Sequence, residues 1–140
     1  MKCPEGWYEI DGSSLGAAFM FAEPQEDTPN ANINLVIEDL SENKMSLEAY
    51  TESTVRYLIC NLKDFNLIEN ATCSLGQYDA SKIVFLGKFV NDGIEYTLQW
   101  LQVMTIFEDK AFVVTFTSYP SQYGNYLDII EETLASFEIS

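Results

Sequence analysis

Between Ala80 and Ser118 the chain is written almost wholly as β-strand, with runs at 80–90, 94–107 and 110–118 separated only by Asn91-Asp92-Gly93 and Glu108-Asp109. Asn-Asp-Gly supplies the positive φ angles of a tight hairpin and Glu-Asp makes the next turn, so the three runs are expected as consecutive antiparallel neighbours. In the central run Tyr96, Leu98, Trp100, Met104 and Ile106 point one way, and Leu101, Val103 and Phe107 the other. A meander with apolar side chains on both faces needs cover on both sides.

Two segments carry the helical period that such cover requires. Ser46 is a fitting N-cap for a helix from Leu47 to about Leu62, with Glu48 in the first turn and Leu47, Thr51, Val55, Leu58, Ile59 and Leu62 on its inner stripe. Glu52 and Arg56 stand i, i+4 on its outer side, and Cys60 is expected within it as a buried free thiol acting as a small hydrophobe. A second helix, from about Ser121 to Ser136, places Tyr123, Tyr126, Leu127, Ile130, Leu134 and Phe137 on one stripe, with Asp128, Glu131 and Glu132 outside. That aromatic stripe reads as core rather than as a ligand box.

The first third reads as a strand from Trp7 to Ile10, a Gly and Ser turn at 12–14, a strand from Ala17 to Ala22, the exposed acidic loop EPQEDTPN and the strand NINLVIED. In the last of these Ile33, Leu35 and Ile37 alternate with Asn32, Asn34 and Val36, which makes one face mostly polar. A short strand near Asn66 to Asn70 completes the set. No repeat, linker or low-complexity tract divides the 140 residues. The expected fold class is α+β, one domain over residues 1–140 in which an antiparallel β-sheet of about six strands, ending in a meander, is sandwiched by two main helices.

Absent residue types narrow the function. With no histidine among 140 residues, Ser-His-Asp and Cys-His catalysis, imidazole bases and His-based zinc sites are all excluded. The seven basic residues are scattered, and the paired acids Glu38-Asp39 and Glu131-Glu132 read as solvated faces. Nucleotide binding has no support, because GxGxxG and GxxxxGK[ST] are missing and Gly87-Lys88 lacks upstream glycines. The formal charge of −15, from 22 acidic and 7 basic residues, repels phosphate backbones and anionic head groups, so nucleic acid is excluded as a partner. No run approaches the ~18 apolar residues of a spanning helix, and the chain as given is expected to be soluble without direct membrane insertion.

Cys3, Cys60 and Cys73 show no CxxC or zinc spacing, and their odd number fits a disulfide framework poorly while leaving a Cys3–Cys73 bridge open. Glu23, Glu26 and Asp27 form at most a weak surface calcium site, since they lack the alternation and central glycine of an EF-hand loop. Asn70-Ala71-Thr72 is a glycosylation sequon that matters only in a eukaryotic secretory pathway. No catalytic, cofactor-binding, metal or partner-binding residue is assigned, and no cofactor is expected.

Local phrases carry a resemblance: PEGW at 4–7, FAEP at 21–24, NINLVIEDL at 32–40, LEAYTE at 47–52, LGQYDASKIV at 75–84, EYTLQWLQVMTI at 95–106, KAFVVTFTS at 110–118 and LASFEI at 134–139. In these and in element order the chain resembles bacterial proteins of the DcrB type, which share a fold with the PsbP subunit of photosystem II and the Mog-type Ran-binding protein. The motifs are structural, so the resemblance implies a fold and no catalytic set. In the family a first strand precedes the PEGW-like turn, and here it is absent or reduced to Met1-Lys2-Cys3. Either this branch begins late, or a leader was trimmed and replaced by Met1. A trimmed leader implies an extracytoplasmic protein, envelope-anchored or secreted; a native start implies a cytoplasmic one.

Three functions compete. The resemblance implies foremost a non-enzymatic binding or assembly module of the bacterial cell envelope with an unidentified protein partner. A cytoplasmic chaperone or adaptor for apolar segments of a secreted partner needs a sheet left partly uncovered. A carboxylate hydrolase needs two converging acids of raised pKa in a cleft.

Overall fold

The computed structural model describes residues 2–10, 19–22 and 31–139. The strands are β1 (Tyr8–Ile10), β2 (Phe19–Ala22), β3 (Asn32–Asp39), β4 (Lys63–Leu75), β5 (Tyr78–Asn91), β6 (Ile94–Phe107) and β7 (Lys110–Ser118). Helix α1 (Leu47–Asn61) lies between β3 and β4, and α2 (Leu127–Ala135) follows β7 after a 3-10 turn at Tyr123–Tyr126. The strands form a seven-stranded sheet in the order β1-β2-β3-β7-β6-β5-β4, antiparallel throughout.

The meander forms as its turns dictate. Asp92 and Gly93 take φ of 53° and 76°, and Glu108 and Asp109 take 50° and 61°, the paired positive angles of hairpins whose twist matches the strands they join. On one side of the sheet Val84, Leu101, Val103, Val114 and Phe116 pack with Ile33 and Leu35 under Tyr126, Ile130 and Phe137. On the other, Ile83, Phe85 and Met104 are closed over by Leu47, Tyr50, Val55 and Leu58 of α1 and by Leu62 just past it. Each face thus has a helix over part of it, as the two-sided apolar pattern requires, and the α2 side holds the larger core.

Several expectations are corrected. Among the described residues the sheet has seven strands, in keeping with the expected antiparallel sheet of about six, but the segment read as a short strand at 66–70 is the 13-residue β4. Register shifts between Lys63 and Asn66 and between Leu67 and Glu69 break its alternation, and Asp64 takes φ of 55°, so period two is lost where it would be sought. β5 begins at Tyr78, not Ala80. The last helix is shorter than 121–136 because Tyr123–Tyr126 is a 3-10 turn, and Leu127 stands exposed while Thr133 takes a buried place. β1 begins at Tyr8 rather than Trp7. Phe19–Ala22 is the described part of the expected 17–22 strand; the 12–14 turn and the EPQEDTPN loop lie outside the described residues.

Ser46 caps α1 as expected, its Oγ accepting from the Ala49 amide at 3.1 Å. Glu52 and Arg56 pair at 3.0 Å. Thr51 is the buried centre of the inner stripe; its hydroxyl donates to the Leu47 carbonyl at 2.8 Å, so the 2.5 Å contact with Ser81 is made by the serine donating. Cys60 is exposed, not buried, because it lies nine positions, or about two and a half turns, beyond Thr51 on the opposite side of the helix. Ile59, assigned to the inner stripe, is 60% exposed for a related reason, lying about a quarter turn off that line.

Leu62, just past α1, rests directly on Gly87, where a Cβ would collide with its Cδ2 and Cγ. Gly87→Ala is therefore expected to cost about 1–3 kcal/mol by overpacking. In denaturant titrations of the single and double variants, Leu62→Ala should absorb part of that cost, and strict additivity would show that the two sites do not touch.

Candidate functional site

Neighbouring strands lie ~4.8 Å apart, so seven strands span roughly 29 Å, whereas a helix with its side chains covers only about 10–12 Å. One helix per face leaves part of each face open. On the α2 side the opening runs along β4 and β5 as a groove of about 560 Å³. Its floor is apolar, from Val84, Leu101 and Val103, and its far wall is Ile130 and Leu134 of α2. Ile68 and Leu127, 52% and 41% exposed, also line it.

The polar groups of this groove are few. Lys82 Nζ stands 3.4 Å from Glu69 Oε2 on the β4 rim, and Glu131 lies on the α2 rim. Burial pushes the Cys73 thiol up, against the pull of Lys82, and burial with the Glu69 carboxylate raises the Tyr123 phenol. Cys73 is thereby a poor nucleophile. Across the sheet a second groove, of about 820 Å³, separates α1 from Asn70, Ala71 and Thr72 of β4, with Glu48 and Glu52 on its helical wall.

The residues singled out by sequence do not converge. Cys3 and Cys60 are exposed and Cys73 is partly buried; all three are free thiols in this structure. Glu38 accepts from the Tyr50 hydroxyl at 2.9 Å, tying α1 to β3, and burial with that bond raises the Tyr50 phenol. Asp39 is held below the usual carboxylate range by the Ser41 amide, and Glu95 by Lys63, the reverse of what a general acid needs. Gly87-Lys88 lies inside β5, where no loop can cradle a phosphate. The sequon Asn70 is exposed on β4. Glu23, Glu26 and Asp27 lie outside the described residues, and among the described residues no cluster of acids and thiols has the geometry to hold a metal ion.

The place of the groove beside β4 was not read from the sequence. Its walls come from β4, β5, β6 and α2, and the extent of β4 was hidden by its irregularities; the adjacent apolar pair Leu67-Ile68, which cannot both face one side of a regular strand, is the signal that marks the bulge.

No protein-family model matches the chain, and no curated protein matches it significantly. Solved structures do. PA94 of Pseudomonas aeruginosa, a protein of unknown function described as a putative regulator, superposes with a TM-score of 0.71 at 14% identity, over 86% of this chain and 81% of its own. LpqN of Mycobacterium tuberculosis, described as involved in cell envelope biogenesis, gives 0.60 at 15% over 98% and 79%. Cyanobacterial PsbP (CyanoP) from Synechocystis gives 0.64 at 16% over 98% and 84%. The fold is PsbP-like. At these identities the likeness extends to the fold alone, and it agrees with the resemblance read from the sequence. No described helix is long and apolar enough to cross a membrane.

The groove predicts an order of thiol reactivity. With a thiol reagent at pH 8, Cys73 should label more slowly than the exposed Cys60 in the folded protein, and at an equal rate in denaturant. Equal rates in the folded state would mean that the groove is open to its floor.

Proposed function

We propose that this chain is a non-enzymatic binding or assembly module of the bacterial cell envelope, whose ligand is a protein segment held in the groove beside β4. The observation that carries the reading is that groove's chemistry: an apolar floor, a rim bearing Glu69 and Glu131, and exposed Ile68 and Leu127 lining it. Pockets that recognise ligands combine an apolar lining with few polar groups, and of those here Lys82 pairs with Glu69 while burial keeps the Cys73 thiol protonated. The absence of histidine supports a non-enzymatic role. The envelope assignment is supported by the shared fold of LpqN, a protein involved in cell envelope biogenesis.

A second reading, a chaperone or adaptor for apolar segments of a secreted partner, is favoured by one observation. The helices leave the β4 side of the sheet uncovered, with Leu67, Ile68 and Leu127 exposed there. It differs from the first in the partner's location and apolarity, not in the surface used.

The test is affinity capture from a bacterial envelope fraction with wild-type protein and with Leu127→Glu, whose side chain lies exposed on α2 and whose folding is checked by circular dichroism. A specific partner is expected with the wild type, reduced at least about tenfold by the substitution. Recovery of no partner at low salt would overturn the envelope reading, and equal recovery by the variant would remove the groove from it. A partner found only in the cytoplasmic fraction would favour the chaperone.

A further inference from the structure

β4 is an edge strand for all 13 residues: β5 pairs its inner side, and among the described residues no strand pairs its outer side. Its two irregularities both fall before Glu69, so Glu69–Leu75 pairs with Tyr78–Val84 in unbroken register and presents an even row of outward amides and carbonyls. Both grooves open along this stretch. The α2-side groove reaches Glu69 and Cys73, and the α1-side groove reaches Asn70, Ala71 and Thr72. A strand laid beside β4 would send alternate side chains into one groove and then the other.

From this juxtaposition the geometry points to strand addition: β4 takes an extended segment of another protein as an eighth strand, in which apolar residues alternate with Lys or Arg. This rests on the binding-module reading and names the form of its ligand. Apolar side chains fit the α2-side groove, floored by Val84, Leu101 and Val103. Basic ones fit the α1-side groove, where Glu48 has no ion-pair partner among the described residues and the strand contributes Asn70 and Thr72. The cations near the edge are already engaged, Lys82 with Glu69, Lys63 with Glu95 and Arg56 with Glu52, so the net charge of −15 is left to attract a basic strand and to repel a second copy of this chain.

The test uses the full chain and labelled synthetic peptides of about eight residues, a strand's length. One alternates Val and Lys, one has the same residues rearranged to helical spacing, and one is the alternating peptide N-methylated at every second residue. Fluorescence anisotropy is expected to show binding of the alternating peptide, weakened by salt, and at least about tenfold weaker binding once the methyl groups remove the donors of the new ladder. Hydrogen exchange should slow at the outward amides of Glu69–Leu75. Equal binding of the N-methylated or helical-spacing peptide, or no slowing in β4, would overturn strand addition and leave the binding module standing. Failure of every peptide while envelope capture succeeds would do the same, and peptide binding with failed capture would sink the envelope reading alone. Slowing that depends on protein concentration without peptide would assign the edge to a second copy and overturn the proposal.

Discussion

A sheet about 29 Å wide faced by one helix on each side cannot be covered completely, and the distribution of apolar residues follows from that shortfall. On the α1 side the large apolar groups gather on β4, β5 and β6, where Phe85 stacks on Trp100 at 5.4 Å and meets Phe65 at 5.5 Å. Away from α1 the same face turns polar, with Asn34 opposite Thr115 and Asn32 opposite Thr117 on β3 and β7. On the α2 side the weight falls on β3, β7 and β6, where Tyr126 meets Phe116 at 5.6 Å and Phe137 meets Phe112 at 5.9 Å. The two helices bury different parts of the sheet. What neither reaches is the outer part of β4, and there the grooves lie.

The helices are held in those positions by a few close contacts. Gly76, with φ of 60°, turns the β4–β5 hairpin and donates its amide to the Leu134 carbonyl at 2.9 Å. A Cβ at Gly76 would collide with the Phe137 carbonyl, so the absent side chain lets the chain after α2 lie directly on the hairpin. On the other face, Tyr50 to Glu38 and Thr51 against Ser81 fix α1 near its start, and Leu62 over Gly87 fixes it at its end. Position and groove are therefore one property: moving either helix toward β4 would break these contacts.

Legibility in the sequence tracks how local the determining physics is. β6 and β7 match their expected bounds because alternation and the two-residue turns that frame them act over a few residues. β3 and the start of α1 were legible for the same reason, through the alternation from Asn32 to Leu35 and a serine cap. β4 was not, since bulges place Phe65 toward Phe85 on the α1 side and Leu75 in the α2-side core, and no single period describes both. Cys60 and Ile59 were misplaced because apolar residues within a helix were counted inward without fixing the stripe's angular width, which on this narrow contact centres on Thr51. The groove depends on where β4, β5, β6 and α2 meet, which no local pattern encodes, and the family resemblance conveyed the architecture without conveying it.

An open edge strand is a liability in a free protein, because its unpaired amides and carbonyls template pairing with any other strand. Natural edges are blunted by bulges and charge, and β4 uses bulges only over its first half. Over Glu69–Leu75 the protection falls to electrostatics. With 22 acids against 7 bases the chain carries a net charge of −15, so two copies approaching edge to edge meet at like charge. The same field favours the approach of a basic segment. One charge imbalance therefore discourages self-pairing and would favour the basic strand proposed for this edge, and its dependence on salt separates it from the apolar attraction of the groove floor, which salt does not screen.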